Sequence, residues 1–236
     1  MNSILQSIIE TQAVEIDGKR VPISSNVDFN EGRFLQALIR RHRPIRSLEI
    51  GFAYGISSLF ICEALKDISD NFQHTIIDPH QTKNWHCIGL QNLRTAGYLQ
   101  NCSFVEDYSE FALPKLLKSG ARFDFTFIDG WHTFDHTLAD FFFINKMLDV
   151  GGIVAFDDTN YPSIRRVVAH VLTYPAYRLE GFWPEPKAKS NQAMRAFKRV
   201  IKGKRPLGPD PQARARCIAV RKISEDQRSF DWHEDF

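Results

Sequence analysis

The chain has 236 residues, a net charge of +2, and 43% hydrophobic and 25% charged residues, a balance typical of one soluble globular domain. No apolar run reaches membrane-spanning length, and the N-terminus lacks the basic start and apolar core of a secretory signal. We therefore expect one domain over residues 1–236, with no membrane partner and a cytoplasmic location by default.

Residues 1–29 are weakly periodic and predict a lead-in with some helix. From Asn30 onward, helical and strand patterns alternate. The predicted helices are Asn30–Arg43, Ile56–Leu65, Lys83–Ala96, Phe111–Leu117, Thr137–Leu148 and Ser163–Leu172. The predicted strands are Ser47–Ile50, His74–Asp78, Cys102–Val105, Phe123–Asp129, Ile153–Asp157, Tyr177–Phe182 and Cys217–Ile223. This alternation predicts an α/β fold, a mostly parallel, doubly wound sheet with helices on both faces.

A basic, proline-rich segment, residues 184–216, separates the last two strands, and we expect it to be an insertion. Between Lys187 and Lys222 there are twelve Lys/Arg and a single acidic residue, so this stretch carries about +11. It predicts one amphipathic helix, with the apolar positions Met194, Phe197, Val200 and Ile201. The alternatives are a solvated helix over the sheet edge, a lid that attracts an anionic substrate, and a nucleic-acid or membrane surface. The last of these comes third, because exposed aromatics are not interleaved with the basic residues.

The turn after the first predicted strand carries Glu49, Gly51 and Gly55. Glycine lets the backbone approach a ligand closely, and the following helix offers free N–H groups. The dinucleotide fingerprint is incomplete, because Ala53 and Ile56 replace its second and third glycines. An acidic group in the strand end suits a positively charged ligand, such as a sulfonium amino acid. The alternative is that the glycines serve only a tight turn.

Asp78 stands at the end of the second predicted strand, 27 positions after Gly51. A carboxylate at this place can accept hydrogen bonds from both hydroxyls of a ribose. The competing interpretation is a turn started by the Asp-Pro pair. The distance from the glycine turn favours the ribose.

Three further aspartates follow strand ends: Asp129 after the fourth strand, then Asp157 and Asp158 after the fifth. Carboxyl ends of parallel strands meet at one crevice, so these side chains are expected to lie close together. Close carboxylates repel unless they are protonated or share a cation. The spacing therefore indicates a divalent ion, Mg²⁺ first. A helix-capping role for Asp157 or Asp158 is the alternative.

His132 lies three residues beyond Asp129 and is the predicted general base, since histidine titrates near neutral pH. A solvated or capping histidine is the alternative. Tyr108 and Ser109 lie just after the third strand, where a helix opens. They could meet a base by stacking or hydrogen bonding, although Ser109 could equally cap the helix.

Taken in order, these motifs resemble class I S-adenosylmethionine-dependent methyltransferases of the methyltransferase-24 type. The resemblance rests on Glu49-x-Gly51-x-x-x-Gly55, on Asp78, on Phe127-Ile128-Asp129-Gly130-x-His132 and on Gly151-Gly152-Ile153-Val154-x-Phe156-Asp157-Asp158-Thr159. It implies a Rossmann-like sheet of seven strands with an antiparallel last strand.

The resemblance also implies roles for these residues. Glu49, Gly51 and Gly55 would border the methionine moiety of the cofactor, with Tyr54 in the same turn. Asp78 would hold the ribose, and Tyr108 with Ser109 would lie near adenine. Asp129, Asp157 and Asp158 would be the Mg²⁺ ligands. Asp129 would also lie beside the cofactor and take part in catalysis. Catechol-type relatives have a lysine base where this chain has His132.

The implied function is methyl transfer from S-adenosylmethionine to a hydroxyl of a small molecule or sugar, with Mg²⁺ assistance. The alternative is a nucleic-acid methyltransferase or binding module that uses residues 187–216. A homo-oligomer stays open, because Phe141-Phe142-Phe143 could serve either the core or a dimer face.

Overall fold

A computed structural model describes residues 1–16, 18–23, 27–184 and 215–233. The amphipathic helix predicted in the basic segment lies outside these residues. So does most of the segment on which the nucleic-acid alternative depends, and that alternative stays a prediction. Within the described ranges, no helix combines the length and the apolar character needed to cross a membrane.

The described chain alternates helices and strands as predicted, after an N-terminal helix and hairpin. The helices are α1 (Ser3–Thr11), α2 (Phe29–His42), α3 (Ile56–Lys66), α4 (Ile88–Thr95), α5 (Ser109–Lys118), α6 (Phe134–Met147) and α7 (Pro162–Val171). The strands are β1 (Ala13–Ile16), β2 (Lys19–Pro22), β3 (Arg46–Ile50), β4 (Gln73–Ile77), β5 (Cys102–Val105), β6 (Phe123–Ile128), β7 (Leu148–Phe156), β8 (Tyr177–Trp183) and β9 (Cys217–Lys222).

Seven of these strands form one sheet in the order β5-β4-β3-β6-β7-β9-β8. The strands from β5 to β7 are parallel, and β9 runs antiparallel to both of its neighbours. The predicted fold class, a mostly parallel seven-stranded sheet with an antiparallel last strand, is confirmed. The order reverses between β3 and β6, which is where open α/β sheets bind their ligands.

Helices cover both faces of the sheet, and each face has its own apolar core. One core joins α1, α2 and α3 to the sheet, and the other joins α5, α6 and α7. Phe127 and Ile128 are neighbours in β6 and are buried in opposite cores. Central parallel strands are apolar on both sides for this reason.

Two parts of the predicted layout differ from the structure. The lead-in contains the two-stranded sheet β1–β2, which the mixed pattern of residues 1–29 did not reveal. The helix predicted from Lys83 begins only at Ile88, because His86 and Cys87 adopt positive φ angles of 49° and 58°. Residues 79–87 instead form turns at the carboxyl edge of the sheet, which places them at the candidate site.

Candidate functional site

A cavity of about 420 Å³ opens at the carboxyl ends of β3, β4 and β6. Its volume lies within the usual range for small-molecule sites, about 300–1,000 Å³. Most of the predicted site residues line it, together with several that were not predicted. The lining residues are Val27, Ile50, Gly51, Phe52, Ala53, Tyr54, Ile56, Ser57, Ile77, Asp78, Pro79, His80, Asn84, Trp85, Tyr108, Ser109, Asp129, Gly130, Trp131 and His132.

The turn between β3 and α3 requires its first glycine on steric grounds. Gly51 has a φ of 88°, and a Cβ atom there would lie 1.9 Å from the carbonyl oxygen of Asp129. Gly55, with a φ of 74°, caps α3 in the left-handed region. The turn therefore brings the backbone close both to the end of β6 and to the cavity.

Asp78 holds this turn in place. Its Oδ2 atom accepts hydrogen bonds from the N–H groups of Phe52 and Ala53, at 3.0 Å and 2.9 Å. Its Oδ1 atom accepts one from the N–H of His80, at 2.7 Å. A carboxylate has about four acceptor positions, so the side chain has room for one more donor from the cavity. Asp78 thus shapes the glycine turn and lines the predicted ribose position.

Glu49 lies behind the cavity wall rather than on it. Its carboxylate is fully buried and accepts hydrogen bonds from the hydroxyls of Ser57 and Ser58. The ring of His74 contacts it at 3.0 Å, and the other ring nitrogen of His74 lies 2.7 Å from the Ser47 hydroxyl. Ser57, which does line the cavity, separates Glu49 from the expected methionine position.

The opposite rim of this wall is aromatic. The rings of Tyr54 and Trp85 meet edge to face with centroids 5.0 Å apart, and those of Tyr108 and His80 meet at 5.7 Å. Ser109 is nearly buried beside Tyr108. Trp85 was not predicted as a site residue, because it falls in the helix predicted from Lys83, and His80 was not predicted although it follows the Asp78-Pro79 pair. Flat apolar faces beside polar groups suit a planar heterocycle.

The acidic side of the cavity gathers Asp129, His132 and Asp158. The Nε2 atom of His132 lies 3.1 Å from Asp158 and 3.7 Å from Asp129. One ligand atom from each of the three residues lies within 4.8 Å of the others. Sequence reasoning expects Asp157 in this group. In the structure, Asp157 is buried, and its carboxylate accepts a hydrogen bond from the N–H of Asp158.

Carboxyl groups crowd this side, and three of them have raised pKa values. Burial, together with the charges of Asp157 and Asp158, raises the pKa of Asp129 well above its usual value. Burial and Asp157 also raise the pKa of Asp158. Burial, followed by the neighbouring Asp157, raises the pKa of Glu31 to about 10. The carboxyl groups of Asp129 and Asp158 offer the oxygen ligands that a divalent cation such as Mg²⁺ prefers, and His132 lies beside them.

His132 is placed to meet a bound molecule. Its side chain is 46% exposed, and its ring stacks on Tyr161 with centroids 5.6 Å apart and an interplanar angle of 22°. Its backbone carbonyl accepts a hydrogen bond from the Ser163 hydroxyl at 2.8 Å. Trp131, exposed to 53%, flanks it on the cavity wall. Trp131 could have been found from its place in the Asp129–His132 motif, whereas Tyr161 carries no such signal.

Residues 48–159 match the model of a family described as a methyltransferase domain. The match begins in β3 and ends just after Asp158, so it includes both walls of the cavity. These residues form a methyltransferase domain. The resemblance to class I methyltransferases drawn from the motifs is confirmed.

Curated relatives of this methyltransferase domain include a caffeoyl-CoA O-methyltransferase from Populus kitakamiensis. It is 29% identical over 147 residues, which are 61% of this chain and 57% of the relative. A putative caffeoyl-CoA O-methyltransferase from Arabidopsis thaliana is 31% identical over 137 residues, 56% of this chain and 54% of the relative. The chain thus spans little more than half the length of the curated relatives it matches.

Solved structures share the fold over nearly the whole chain. An O-methyltransferase from Bacillus cereus in complex with SAH has a TM-score of 0.65 at 17% identity, covering 94% of this chain and 92% of the other. An O-methyltransferase from Streptomyces achromogenes involved in tomaymycin synthesis, in complex with SAM, has a TM-score of 0.58 at 20% identity, covering 95% and 91%. These likenesses show that the methyltransferase fold extends beyond residues 48–159.

Proposed function

We propose that this chain transfers a methyl group from S-adenosylmethionine to a hydroxyl of a small molecule, with the help of a divalent cation. The observation that carries the proposal is one cavity with two unlike walls. The first wall contains the glycine turn, Asp78 and the aromatic rim, and the second contains Asp129 and His132. A nucleoside on the first wall would present its methyl group to an acceptor on the second. We further propose that residues 1–236 act as one catalytic unit, with residues 184–216 as its insertion.

The first wall suits the cofactor. Asp78 has room for a ribose hydroxyl, and Tyr108 with Ser109 would meet adenine. Gly51 lines the methionine end without a side chain, Gly55 shapes the turn behind it, and Tyr54 closes that end. Glu49 would act through Ser57, whose hydroxyl it fixes by a hydrogen bond. The enzyme's main task is alignment, since the sulfonium already activates the methyl group.

The second wall suits proton removal. The half-exposed ring of His132 can take a proton from an acceptor hydroxyl in the cavity. Asp158, 3.1 Å from its Nε2 atom, would stabilise the imidazolium that forms. The stacked ring of Tyr161 keeps the imidazole from rotating away. His132 is therefore proposed as the base, with Asp129 between it and the cofactor wall.

We assign the cation to Asp129 and Asp158, with Asp157 beside them. When bound, Mg²⁺ would supply a Lewis acid that lowers the pKa of an acceptor hydroxyl. The residues themselves fix where the acceptor lies, because the two carboxylates lie on the same side of the cavity as His132. The names of the curated relatives make caffeoyl-CoA the first acceptor to test and a sugar hydroxyl the second.

The test is methyl transfer from isotopically labelled S-adenosylmethionine, followed by mass spectrometry of the acceptor. Cofactor affinity is measured separately by calorimetry with S-adenosylhomocysteine. His132→Ala is expected to lower kcat by ~100-fold, in the range of a lost general base, while cofactor affinity stays within about threefold. Asp158→Asn and EDTA are each expected to reduce turnover strongly.

His136→Gln is the matched control, because His136 lies on the same segment, hydrogen-bonds Thr133 and does not line the cavity. It should retain turnover. Undiminished activity in His132→Ala, combined with indifference to EDTA, would contradict the base and cation assignments. Failure to bind S-adenosylhomocysteine would contradict the cofactor assignment itself.

A further inference from the structure

Gln81 joins the two turns that form the cofactor wall, and the proposed reaction leaves it without a role. Its side chain is fully buried, and its Nε2 atom donates a hydrogen bond to the carbonyl of Ala53 at 2.6 Å. Its own carbonyl accepts a hydrogen bond from the N–H of Cys87 at 2.9 Å. The side chain of Gln81 thus contacts the glycine turn, while its backbone closes the turn at residues 79–87.

Ala53 has a backbone conformation that costs free energy. Its φ is 46°, in the left-handed region that residues with a Cβ atom rarely adopt. Because the residue is not a glycine, the surrounding contacts have to hold it in this region. Ala53 lines the cavity, so a relaxed Ala53 would change the shape of the wall that faces the cofactor.

Two side chains hold Ala53, one through its N–H group and one through its carbonyl. The N–H donates to Asp78 at 2.9 Å, and the carbonyl accepts the hydrogen bond from Gln81. The direction of the N–H depends on φ and that of the carbonyl on ψ, so the two bonds together restrain both soft dihedrals of the residue. Asp78 alone would leave the carbonyl free to turn.

The other half of the Gln81 amide has no partner. Its Oε1 atom is buried without a hydrogen bond among the described residues. An unpaired buried acceptor lowers the stability of the folded chain, and an apolar side chain of the same length would avoid that loss. The amide is therefore unfavourable on one side, and on the other side it supplies the bond to Ala53.

We propose that Gln81 is a positioning residue of the cofactor wall, which holds Ala53 in the conformation that receives S-adenosylmethionine. The inference rests on the cofactor assignment in the proposed function. Gln81 is not among the described residues that line the cavity. Its effect on the cofactor therefore passes through Ala53, and a change at Ala53 should alter the effect of a change at Gln81.

The experiment measures S-adenosylhomocysteine affinity by calorimetry in the wild type, in Gln81→Met, in Ala53→Gly and in the double variant. Gln81→Met keeps the length of the side chain and removes the donor. It is expected to weaken binding ~10-fold, near the upper end for one neutral hydrogen bond. Ala53→Gly should bind within about threefold of the wild type, because glycine adopts a positive φ at little cost.

The double variant tests whether Gln81 acts through Ala53. In the Ala53→Gly background, Gln81→Met is expected to weaken binding by less than about threefold, because the strain that Gln81 opposes has been removed. A merely structural role of Gln81 would give the same loss of affinity in both backgrounds.

Gln36→Met is the matched control. Gln36 is also fully buried, and its Nε2 atom also donates to a backbone carbonyl, that of Phe60, at 3.2 Å. It lies in α2 and does not line the cavity, so the substitution should leave S-adenosylhomocysteine affinity unchanged. Should Gln81→Met fail to fold, Gln81→Asn, whose amide is one carbon shorter, is expected to show the same loss of affinity.

Equal losses in the two Ala53 backgrounds would overturn the proposal, and so would a Gln81→Met variant that binds as tightly as the wild type. In either case, binding by the wild type would leave the cofactor assignment intact. A wild-type chain that does not bind S-adenosylhomocysteine would overturn both.

Discussion

Glu49 and Glu31 are both fully buried near the same cavity, yet their surroundings differ. Glu49 receives two hydroxyls and an imidazole, all from β4 and α3. Glu31 receives no donor from the described residues, and burial beside Asp157 raises its pKa to about 10. A buried carboxyl that receives donors is part of the hydrogen-bond network of the fold, whereas one that receives none is held in its neutral form. The cofactor wall thus supplies the partners of its buried acid, and the acidic wall does not.

The largest expected effect is the loss of cofactor binding in the Gly51→Ala variant. Its Cβ would lie 1.9 Å from the carbonyl oxygen of Asp129, a distance that requires the backbone to move. This turn also carries the two N–H groups that donate hydrogen bonds to Asp78. We therefore expect S-adenosylhomocysteine binding to become undetectable by calorimetry. Gly97→Ala is a control with a similar φ of 80° and open space around it. Equal loss in both variants would show that φ, and not the close approach, is responsible.

The next largest expected effect is the loss of stability in the Glu49→Ala variant. Glu49→Ala leaves Ser57, Ser58 and His74 facing an emptied site in the core. The expected loss is about 4 kcal/mol of unfolding free energy, as for other broken buried networks. Urea unfolding measures this loss, and a gain in stability would remove the contrast with Glu31.

Asp140 is a third buried acid, and its surroundings are intermediate between those of Glu49 and Glu31. It is 2% exposed, and burial raises its pKa to about 6 against a smaller lowering by Ser109. The folded chain then binds more protons than the unfolded chain between about pH 4 and pH 6, so this group's contribution to stability falls as pH rises through that window. Between pH 4 and pH 7, the free energy of unfolding of Asp140→Asn should rise relative to that of the wild type by up to about 3 kcal/mol. A stability difference that is flat with pH would contradict this assignment.

The smallest expected effect is that of Asp78→Asn. The amide keeps one acceptor and turns a donor toward the N–H groups of Phe52 and Ala53 or of His80. We expect ~10-fold weaker S-adenosylhomocysteine binding, about 1.4 kcal/mol, from the lost charge-assisted bonds. Adenine alone, which has no ribose, should bind both proteins with similar weak affinity. An equal loss for adenine would place the defect in the turn as a whole.

The sequence predicted the sheet and the strand-end residues well, because both follow from local patterns. Strands such as β6 are apolar on both faces, and Asp78, Asp129 and Asp157 follow strand ends directly. Carboxyl ends of parallel strands share one edge, so residues far apart in sequence could be expected together.

The features that the sequence did not predict depend on contacts between residues far apart in the chain. The direction of the Glu49 side chain is set by Ser58 and His74, and no spacing rule encodes that choice. Glu31 lies outside the motifs, and only the packing of α2 against β7 brings it to Asp157. The helix predicted from Lys83 begins only at Ile88, because His86 and Cys87 have positive φ values that the sequence pattern did not reveal.

The hydrogen bonds where the chain leaves β8 and enters β9 affect the cost of closing the segment between these strands. The N–H of Arg216 donates to the carbonyl of Trp183 at 2.7 Å, and the N–H of Thr159 donates to the carbonyl of Arg216, also at 2.7 Å. The two ends of the intervening basic segment are thus already clamped together next to Asp158. For any insert that behaves as a flexible loop, doubling its length between these fixed ends would cost only about 0.6 kcal/mol. We therefore expect this edge of the sheet, beside the acidic wall, to tolerate inserts of different length with little change in the free energy of unfolding.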